Sequence, residues 1–222
     1  MKRVGLIIPS SNLVIEDMLH GRAGSFRKDI GIHIARLPVT TVDLGNRSKK
    51  QFDAEMVDQA IDQLLEAQVS QIIFAGTAGA WLGIERERLW CAEAEQRTGV
   101  AVTSTTLLTL AELKTLNFGS LGLVTPFTPK VHDAIVQNFE SEGFSVGYGS
   151  CFGLDSSRQM AELPLDQIAD RIDMSFQKGC DGVLCFCTNF RGFEAAQLVR
   201  FPQIAGKILD SVQLTLDAAG RV

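Results

Sequence analysis

The sequence predicts an α/β fold built from two similar parallel-sheet domains of Rossmann-like type, packed together with a cleft between them. Apolar runs of four to eight residues alternate with helical patterns, which is typical of a parallel sheet covered on both faces. The segment from Val4 to Asn12 resembles the segment from Leu121 to Thr128, since each is an apolar run that meets a Pro/Ser/Thr cluster. No proline-rich or low-complexity linker separates the two halves, so the domains are expected to pack against each other.

Further matches indicate that the second half is a diverged copy of the first. Pairing Gly5 with Gly122 gives an offset of 117 residues. The pair Gly76-Thr77 matches Cys187-Thr188, at an offset of 111, and Leu108 matches Leu214, at 106. The offset falls smoothly, as small deletions in one of two copies would make it fall.

The alternation of patterns places eight strands and eight helices along the chain. The first domain is predicted at 1–116, with 207–222 packing back onto it, and the second at 117–206. Strands are predicted near 3–8, 31–37, 71–75, 100–103, 119–124, 145–151, 182–187 and 206–210. Helices are predicted near 12–22, 52–68, 81–97, 105–116, 128–142, 164–178, 192–199 and 211–219.

The net charge and hydropathy of the chain argue against some classes of binding partner. A net charge of −5 over 222 residues argues against nucleic acid or an acidic membrane surface as a partner. No apolar run approaches the roughly 18–20 residues that span a bilayer, and Met1-Lys2-Arg3 leads directly into a strand rather than a signal peptide. We therefore expect a cytoplasmic protein.

Five cysteines, an odd number, are expected to be reduced thiols in that compartment. Cys185 and Cys187 are two residues apart on one predicted strand, so their side chains should point to opposite faces. That geometry disfavours a metal pair, and no metal site is predicted. The remaining cysteines, with Cys185, are expected to be inert core residues.

Four strand ends are rich in small hydroxyl and amide side chains and precede predicted helices: 9–12, 76–79, 125–128 and 187–189. In open α/β sheets the ligand lies beyond the carboxyl ends of the strands. Free N–H groups at a helix start, with hydroxyls beside them, bind anions. A small molecule with one or two carboxylates is therefore the expected ligand. For Ser10, Asn12, Thr128 and Asn189, ordinary helix capping is the alternative.

Three motifs carry a resemblance to a known family. Pro9-Ser10-Ser11-Asn12 is followed one turn later by Glu16, and Thr125-Pro126-Phe127-Thr128 and Cys187-Thr188-Asn189 come in the same order. This arrangement resembles the Asp/Glu racemase superfamily, in the branch of maleate cis–trans isomerases and arylmalonate decarboxylases. The resemblance implies two domains related by a pseudo-twofold axis, an active site in the cleft between them, and no metal or organic cofactor.

The departures from that family define the chemistry expected here. Racemases and maleate isomerases of the superfamily place two cysteines on opposite sides of the substrate, but Gly76 stands at the first position. Glycine there, with a single cysteine at the position of Cys187, resembles the arylmalonate decarboxylases. Ala78 and Phe127 stand where those decarboxylases carry a serine and a tyrosine hydroxyl. Ser10, Ser11 and Asn12 would then bind the substrate carboxylate in place of those two hydroxyl groups.

We predict that Cys187 protonates an enediolate intermediate and that a helix start beside it lowers its pKa toward neutrality. Thr77, Thr188 and Asn189 would stabilise the developing charge. The three histidines are predicted to be structural or surface residues. The predicted catalytic residues are Cys187 and Asn12, and the predicted substrate-binding residues are Ser10, Ser11, Gly76, Thr77, Ala78, Thr125, Phe127, Thr128, Thr188 and Asn189.

Three functions remain open on this reasoning. Decarboxylation of a malonate-type acid comes first, because it needs only one protonating group. A maleate-isomerase-type reaction comes second, with Gly76 as a natural or engineered replacement of the first cysteine. A non-catalytic carboxylate-binding relative is the third. A homodimer is the expected assembly.

Overall fold

A computed structural model describes residues 1–21, 29–45, 48, 50–52, 54–200 and 206–220. Two four-stranded parallel sheets form its centre, with helices packed on their faces. The first sheet holds β1 (Lys2–Pro9), β2 (Ile30–Leu37), β3 (Gln71–Phe74) and β4 (Ala101–Ser104). The second sheet holds β5 (Leu121–Phe127), β6 (Val146–Leu154), β7 (Gly182–Cys185) and β8 (Ile208–Asp210).

The two sheets repeat one topology. Their strand orders are β2-β1-β3-β4 and β6-β5-β7-β8, and every pairing between strands is parallel. The first strand of each half is central and buried, because helices cover both faces of its sheet. The prediction of two similar parallel-sheet domains is confirmed.

The described helices largely follow the predicted pattern. They are α1 (Val14–Gly21), α2 (Ala54–Glu66), α3 (Gly79–Leu82), α4 (Ile84–Thr98), α5 (Thr105–Leu116), α6 (Pro129–Ser141), α7 (Ser157–Ala161), α8 (Leu165–Gln177), α9 (Gly192–Ala195) and α10 (Ser211–Gly220).

Three helical predictions need correction. A single helix over 81–97 is wrong, because Gly83 has a φ of 127° and separates α3 from α4; only glycine adopts such a backbone readily. The helix predicted over 192–199 ends at Ala195. Helix α7 was not predicted at all. The predicted end of the first helix at residue 22 lies outside the described residues.

The C-terminal residues divide between the domains. Strand β8 pairs with β7, so 208–210 lie in the second sheet, although the predicted boundary at 206 placed them with the first domain. Helix α10 packs on the first domain, where Val212 and Leu216 join the buried cluster around Val4. A hydroxyl pair, Thr105 Oγ1 to Thr215 Oγ1 at 2.6 Å, links α10 to α5.

No helix in the described part of the chain combines the length and apolar character that a bilayer-spanning segment requires.

Gly5 and Gly122 allow the equivalent helices of the two halves to approach the central strands. A Cβ at Gly5 would lie 2.8 Å from Leu64 Cδ1, the flexible end of a side chain on α2. A Cβ at Gly122 would lie 2.6 Å from Ser175 Cβ on α8, an atom fixed to the backbone. The second contact can relax only if the helix moves.

We therefore expect Gly122→Ala to lower the free energy of unfolding by about 1–3 kcal/mol, the usual cost of overpacking. Gly5→Ala is the matched control and should cost clearly less, because Leu64 can rotate away. Urea denaturation of both variants measures the difference. Equal losses would contradict the account of the helix approach.

Candidate active site

A small cavity lies between the domains at the carboxyl ends of the central strands. Its volume is about 30 Å³, and all four strand ends singled out in the sequence contribute to its wall. The residues that line it are Pro9, Val39, Val42, Phe52, Gly76, Thr77, Ala78, Trp81, Phe127, Ser157, Met160, Cys187, Thr188 and Asn189. Seven predicted site residues are thus brought together: Gly76, Thr77, Ala78, Phe127, Cys187, Thr188 and Asn189.

Cys187 is the one titratable side chain among the residues that line this cavity. It follows the end of β7, it is buried, and its sulfur accepts a hydrogen bond from the N–H of Asn189 at 3.3 Å. Burial raises the pKa of the thiol to about 12, and the Asn189 N–H offsets this only in part. Cys185, two residues earlier, is buried against Gly192 instead.

The predicted lowering of the Cys187 pKa toward neutrality is therefore wrong. A turn follows Cys187, and the next helix, α9, begins only at Gly192. Desolvation of the thiolate thus exceeds the stabilisation that one N–H provides. The thiol is fully protonated at neutral pH, which suits a proton donor.

Gly76 lines the same cavity from the first domain. A Cβ at this position would lie 3.0 Å from Cε1 and Cζ of Phe74, so the phenyl ring fills the space beside the glycine. Thr77 follows, is only 6% exposed, and lines the same cavity. The part of the wall that the first domain supplies thus offers the Thr77 hydroxyl and no titratable side chain.

Asn12 and Asn189 connect the two domains. Asn12 Nδ2 donates to the carbonyl of Thr188 at 2.8 Å, and its Oδ1 accepts from the N–H of Ile15 at 3.0 Å. Asn189 Oδ1 accepts from the N–H groups of Leu13 and Val14, at 2.9 and 3.3 Å. An amide of the second domain therefore caps helix α1 of the first.

The Nδ2 atom of Asn189 also makes hydrogen bonds to two carbonyl groups. It donates to the carbonyls of Ser11 and Ser157, at 3.2 and 2.7 Å. Asn12 is fully buried and does not line the cavity, so the structure places it one hydrogen bond behind Thr188.

Four other predicted site residues also lie outside the cavity wall. The Ser11 hydroxyl donates to the carbonyl of Val39 at 2.5 Å, and the Ser10 carbonyl accepts from Arg36. Thr125 is buried, and its Oγ1 lies 2.9 Å from His132 Nδ1. Thr128 precedes α6 with an extended backbone and makes no side-chain capping bond. His132 is buried, which lowers the pKa of its imidazole.

One part of the cavity wall was not predicted from the sequence. Residues 39–42 of the first domain run across to residues 155–157 of the second. Val42 N–H donates to Asp155 O at 2.9 Å, and Ser157 N–H donates to Thr40 O at 3.2 Å. We name this pair of segments the strap. It places Val39, Val42 and Ser157 on the cavity, and no periodic pattern distinguishes these positions from ordinary loop residues.

Among the described residues, no three His, Cys, Asp or Glu side chains are grouped so that they could hold a metal ion.

Comparisons with known proteins agree with the fold. No family model matches the chain. A maleate isomerase from Nocardia farcinica is 25% identical over 191 residues, which cover 79% of this chain and 72% of that protein.

Solved structures match nearly the whole chain at lower identity. A cysteine-to-alanine variant of maleate isomerase from Pseudomonas putida S16, with maleate, superimposes with a TM-score of 0.84 at 16% identity, covering 98% of this chain and 90% of that one. A cysteine-to-serine variant of the Nocardia farcinica maleate cis–trans isomerase, with a covalently bound succinylcysteine intermediate, gives 0.84 at 18%, covering 99% and 91%. A liganded arylmalonate decarboxylase with glycine-to-cysteine and cysteine-to-serine changes gives 0.82 at 17%, covering 100% and 92%.

The amide contacts between the domains generate a stability prediction. Asn189→Asp replaces two donated hydrogen bonds by repulsion between a carboxylate and the carbonyls of Ser11 and Ser157. We expect a loss of about 3 kcal/mol in the free energy of unfolding, since buried polar groups become unpaired. Asn138→Asp is the control, because Asn138 also crosses between the domains, but with a single bond, to Ala80 O at 2.8 Å. Chemical denaturation should show the larger loss at Asn189; equal losses would contradict this account.

Proposed function

We propose that the chain is an enzyme of the Asp/Glu racemase superfamily, similar to maleate isomerases and arylmalonate decarboxylases, and that it decarboxylates a malonate-type acid. Cys187 donates the proton that replaces the departing carboxyl group. The observation that carries this proposal is the asymmetry of the cavity: Cys187 is the one titratable side chain that lines it, and Gly76 stands on the other domain's wall.

The reaction needs one proton donor and no second base. The bond between the α-carbon and the leaving carboxylate breaks, CO₂ departs, and the bonding electrons form an enediolate with the remaining carboxylate. The Cys187 thiol then gives its proton to the α-carbon, and water returns a proton to the thiolate. A thiol that is protonated at neutral pH is ready for this step.

The cavity wall supports a division of roles between the two carboxylates. The Thr77 hydroxyl suits the carboxylate that stays, because a preorganised donor stabilises charge that develops on the enediolate. Val39, Val42 and Met160 form an apolar part of the wall. There the departing carboxylate would lose its hydration, and becoming neutral CO₂ relieves that cost. Asn12, held behind Thr188, acts as a positioning residue in this scheme.

A second candidate is cis–trans isomerisation of a maleate-type diacid. It is favoured by the 25% identity to the Nocardia farcinica maleate isomerase and by the Asn12 and Cys187-Thr188-Asn189 motifs. Gly76 weighs against isomerisation. The isomerases that the chain resembles have a cysteine at that position, and its sulfur adds to the double bond of the substrate.

The first test compares two cysteines that lie two residues apart. Cys187→Ala should lower kcat for phenylmalonate decarboxylation by about 10²–10⁴-fold, the usual contribution of a general acid. Cys185→Ala is the control and should retain activity, since Cys185 lies outside the cavity. CO₂ release measures both. Full activity of the Cys187→Ala variant excludes the proposed proton donor.

The second test separates the two candidate reactions. The unaltered protein should release CO₂ from phenylmalonate and leave maleate unchanged. Gly76→Cys should keep some decarboxylation but cost up to about 3 kcal/mol of stability, because the new Cβ crowds the Phe74 ring. Fumarate formation from maleate by the unaltered protein, followed by NMR, would establish the isomerase instead.

The third test uses pH. Because burial raises the pKa of the Cys187 thiol to about 12, the acid form persists far above the range of an ordinary thiol. A proton donor with a raised pKa loses activity only when the pH reaches that raised value. The kcat/KM for decarboxylation should therefore show no decline between pH 7 and about pH 10 that is caused by this thiol. A decline centred near pH 8–9 that disappears in Cys187→Ser would contradict the burial-raised pKa.

A further inference from the structure

A second cavity lies beside the candidate active site, within the first domain. Its volume is about 480 Å³, which is in the range of roughly 300–1,000 Å³ that is usual for small-molecule sites. Its wall is mostly apolar and includes three aromatic rings, Phe52, Phe74 and Trp90. Phe74 packs edge-to-face with Phe52 at 6.3 Å and with Trp90 at 5.9 Å between ring centroids.

A buried carboxyl group interrupts this apolar wall. Glu87 lines the cavity and is only 7% exposed. It lies on the buried stripe of α4 between Ile84 and Cys91, where the helical pattern would otherwise place an apolar side chain. Burial of a carboxylate is costly unless donors satisfy its oxygens.

The local backbone is shaped around this carboxyl group. A Cβ at Gly79 would lie 1.7 Å from Glu87 Oε2, so a residue with a side chain at position 79 would displace the carboxyl. Oε2 nevertheless has no hydrogen-bond partner among the described residues. Burial raises the pKa of Glu87 to about 7, and the nearby hydroxyls of Thr106 and Ser104 and the Gly79 N–H offset this only in part. The chain therefore places in the cavity wall a carboxyl group whose burial its own donors compensate only in part.

We infer that this second cavity binds a small apolar amine, whose ammonium group donates to Glu87 and whose hydrocarbon part contacts Phe74 and Trp90. The charges favour a cation, because two carboxylates, Glu87 and Glu93, line the cavity against one guanidinium, Arg86. Aromatic faces also attract cations. A carboxylate ligand would meet Glu87 instead, so this site differs in chemistry from the cavity at Cys187.

The site does not depend on the proposed function. Ala78 and Phe52 line both cavities, so the two sites are neighbours separated by these side chains. Binding of an amine is measured without any turnover. Failure of amine binding therefore leaves the decarboxylase proposal intact, and failure of decarboxylation leaves the amine site intact.

Calorimetric titration with 2-phenylethylamine tests the inference, with (2-methoxyethyl)benzene as the neutral analogue that lacks a donor. The amine should bind saturably to the full chain, and the ether should bind at least about tenfold more weakly, as expected for loss of a buried charge-assisted bond. Glu87→Gln should weaken amine binding by about tenfold or more. Glu85→Gln, a change of an exposed carboxylate on the same helix that does not line the cavity, should change it by less than about threefold.

A second variant keeps the test decisive if Glu87→Gln folds poorly. Leu89 lines the cavity and is 56% exposed, so Leu89→Trp can fill the space from the surface with little risk to the core. This variant should abolish amine binding while its thermal unfolding stays close to that of the unaltered protein. No saturable binding of the amine, equal affinity for amine and ether, or unchanged amine affinity in Glu87→Gln would each overturn the inference.

Discussion

The Asn189 amide is the contact on which the rest of the site depends. It belongs to the second domain, yet its oxygen accepts from the Leu13 and Val14 N–H groups at the start of α1 in the first. Those N–H groups lack intrahelical partners by the nature of a helix start. Asn12 completes the cap through Ile15 and returns a hydrogen bond to Thr188. The relative position of the domains is thereby tied to the two residues that follow Cys187.

The fixed position of the domains determines how the Cys187 thiol lies relative to the wall at Gly76 and Thr77. If the domains could slide, the Cys187 thiol would have no fixed relation to the wall at Gly76 and Thr77. With the domains joined by buried amides, the thiol and the Thr77 hydroxyl border one enclosed space. The same enclosure removes water from the sulfur, which raises the pKa of the thiol and keeps it in the acid form. One structural cause thus determines both the geometry and the protonation state.

Much of the fold could be predicted because the second half of the sequence repeats the pattern of strands and helices of the first half. Strand patterns, the carboxyl-end loops and the pairing of Gly5 with Gly122 are local features, and all eight predicted strands are present. What the sequence could not show depends on distant contacts. The strap forms because residues 39–42 meet 155–157 across the cleft, which no local pattern encodes.

A further error has the same origin. The Cys187 pKa was predicted from a neighbouring helix start, whereas burial by both domains decides it. The catalytic role of Asn12 stays a prediction, and its hydrogen bond to Thr188, 176 residues away, could not be derived from a local motif. The burial of Glu87 could have been recognised from the sequence, because its position places a charged residue on the buried stripe of α4.

The size of the cavity leads to a last consequence of the domain contacts. A volume of about 30 Å³ is far below the roughly 300–1,000 Å³ that is usual for small-molecule sites. Substrate entry therefore requires part of the wall to move. The strap is held by the bridge between Thr41 and Ser156, by the Asn189 amide on the Ser157 carbonyl, and by the Ser11 hydroxyl on the Val39 carbonyl. Opening the wall at the strap would therefore break the bonds to Asn189 and Ser11 as well as the bridge. Its Val39 and Val42 side chains lie against the space that a departing carboxylate would use. These two valines would keep water from that carboxylate, in the same way that burial keeps water from the Cys187 sulfur and holds the thiol in its protonated form.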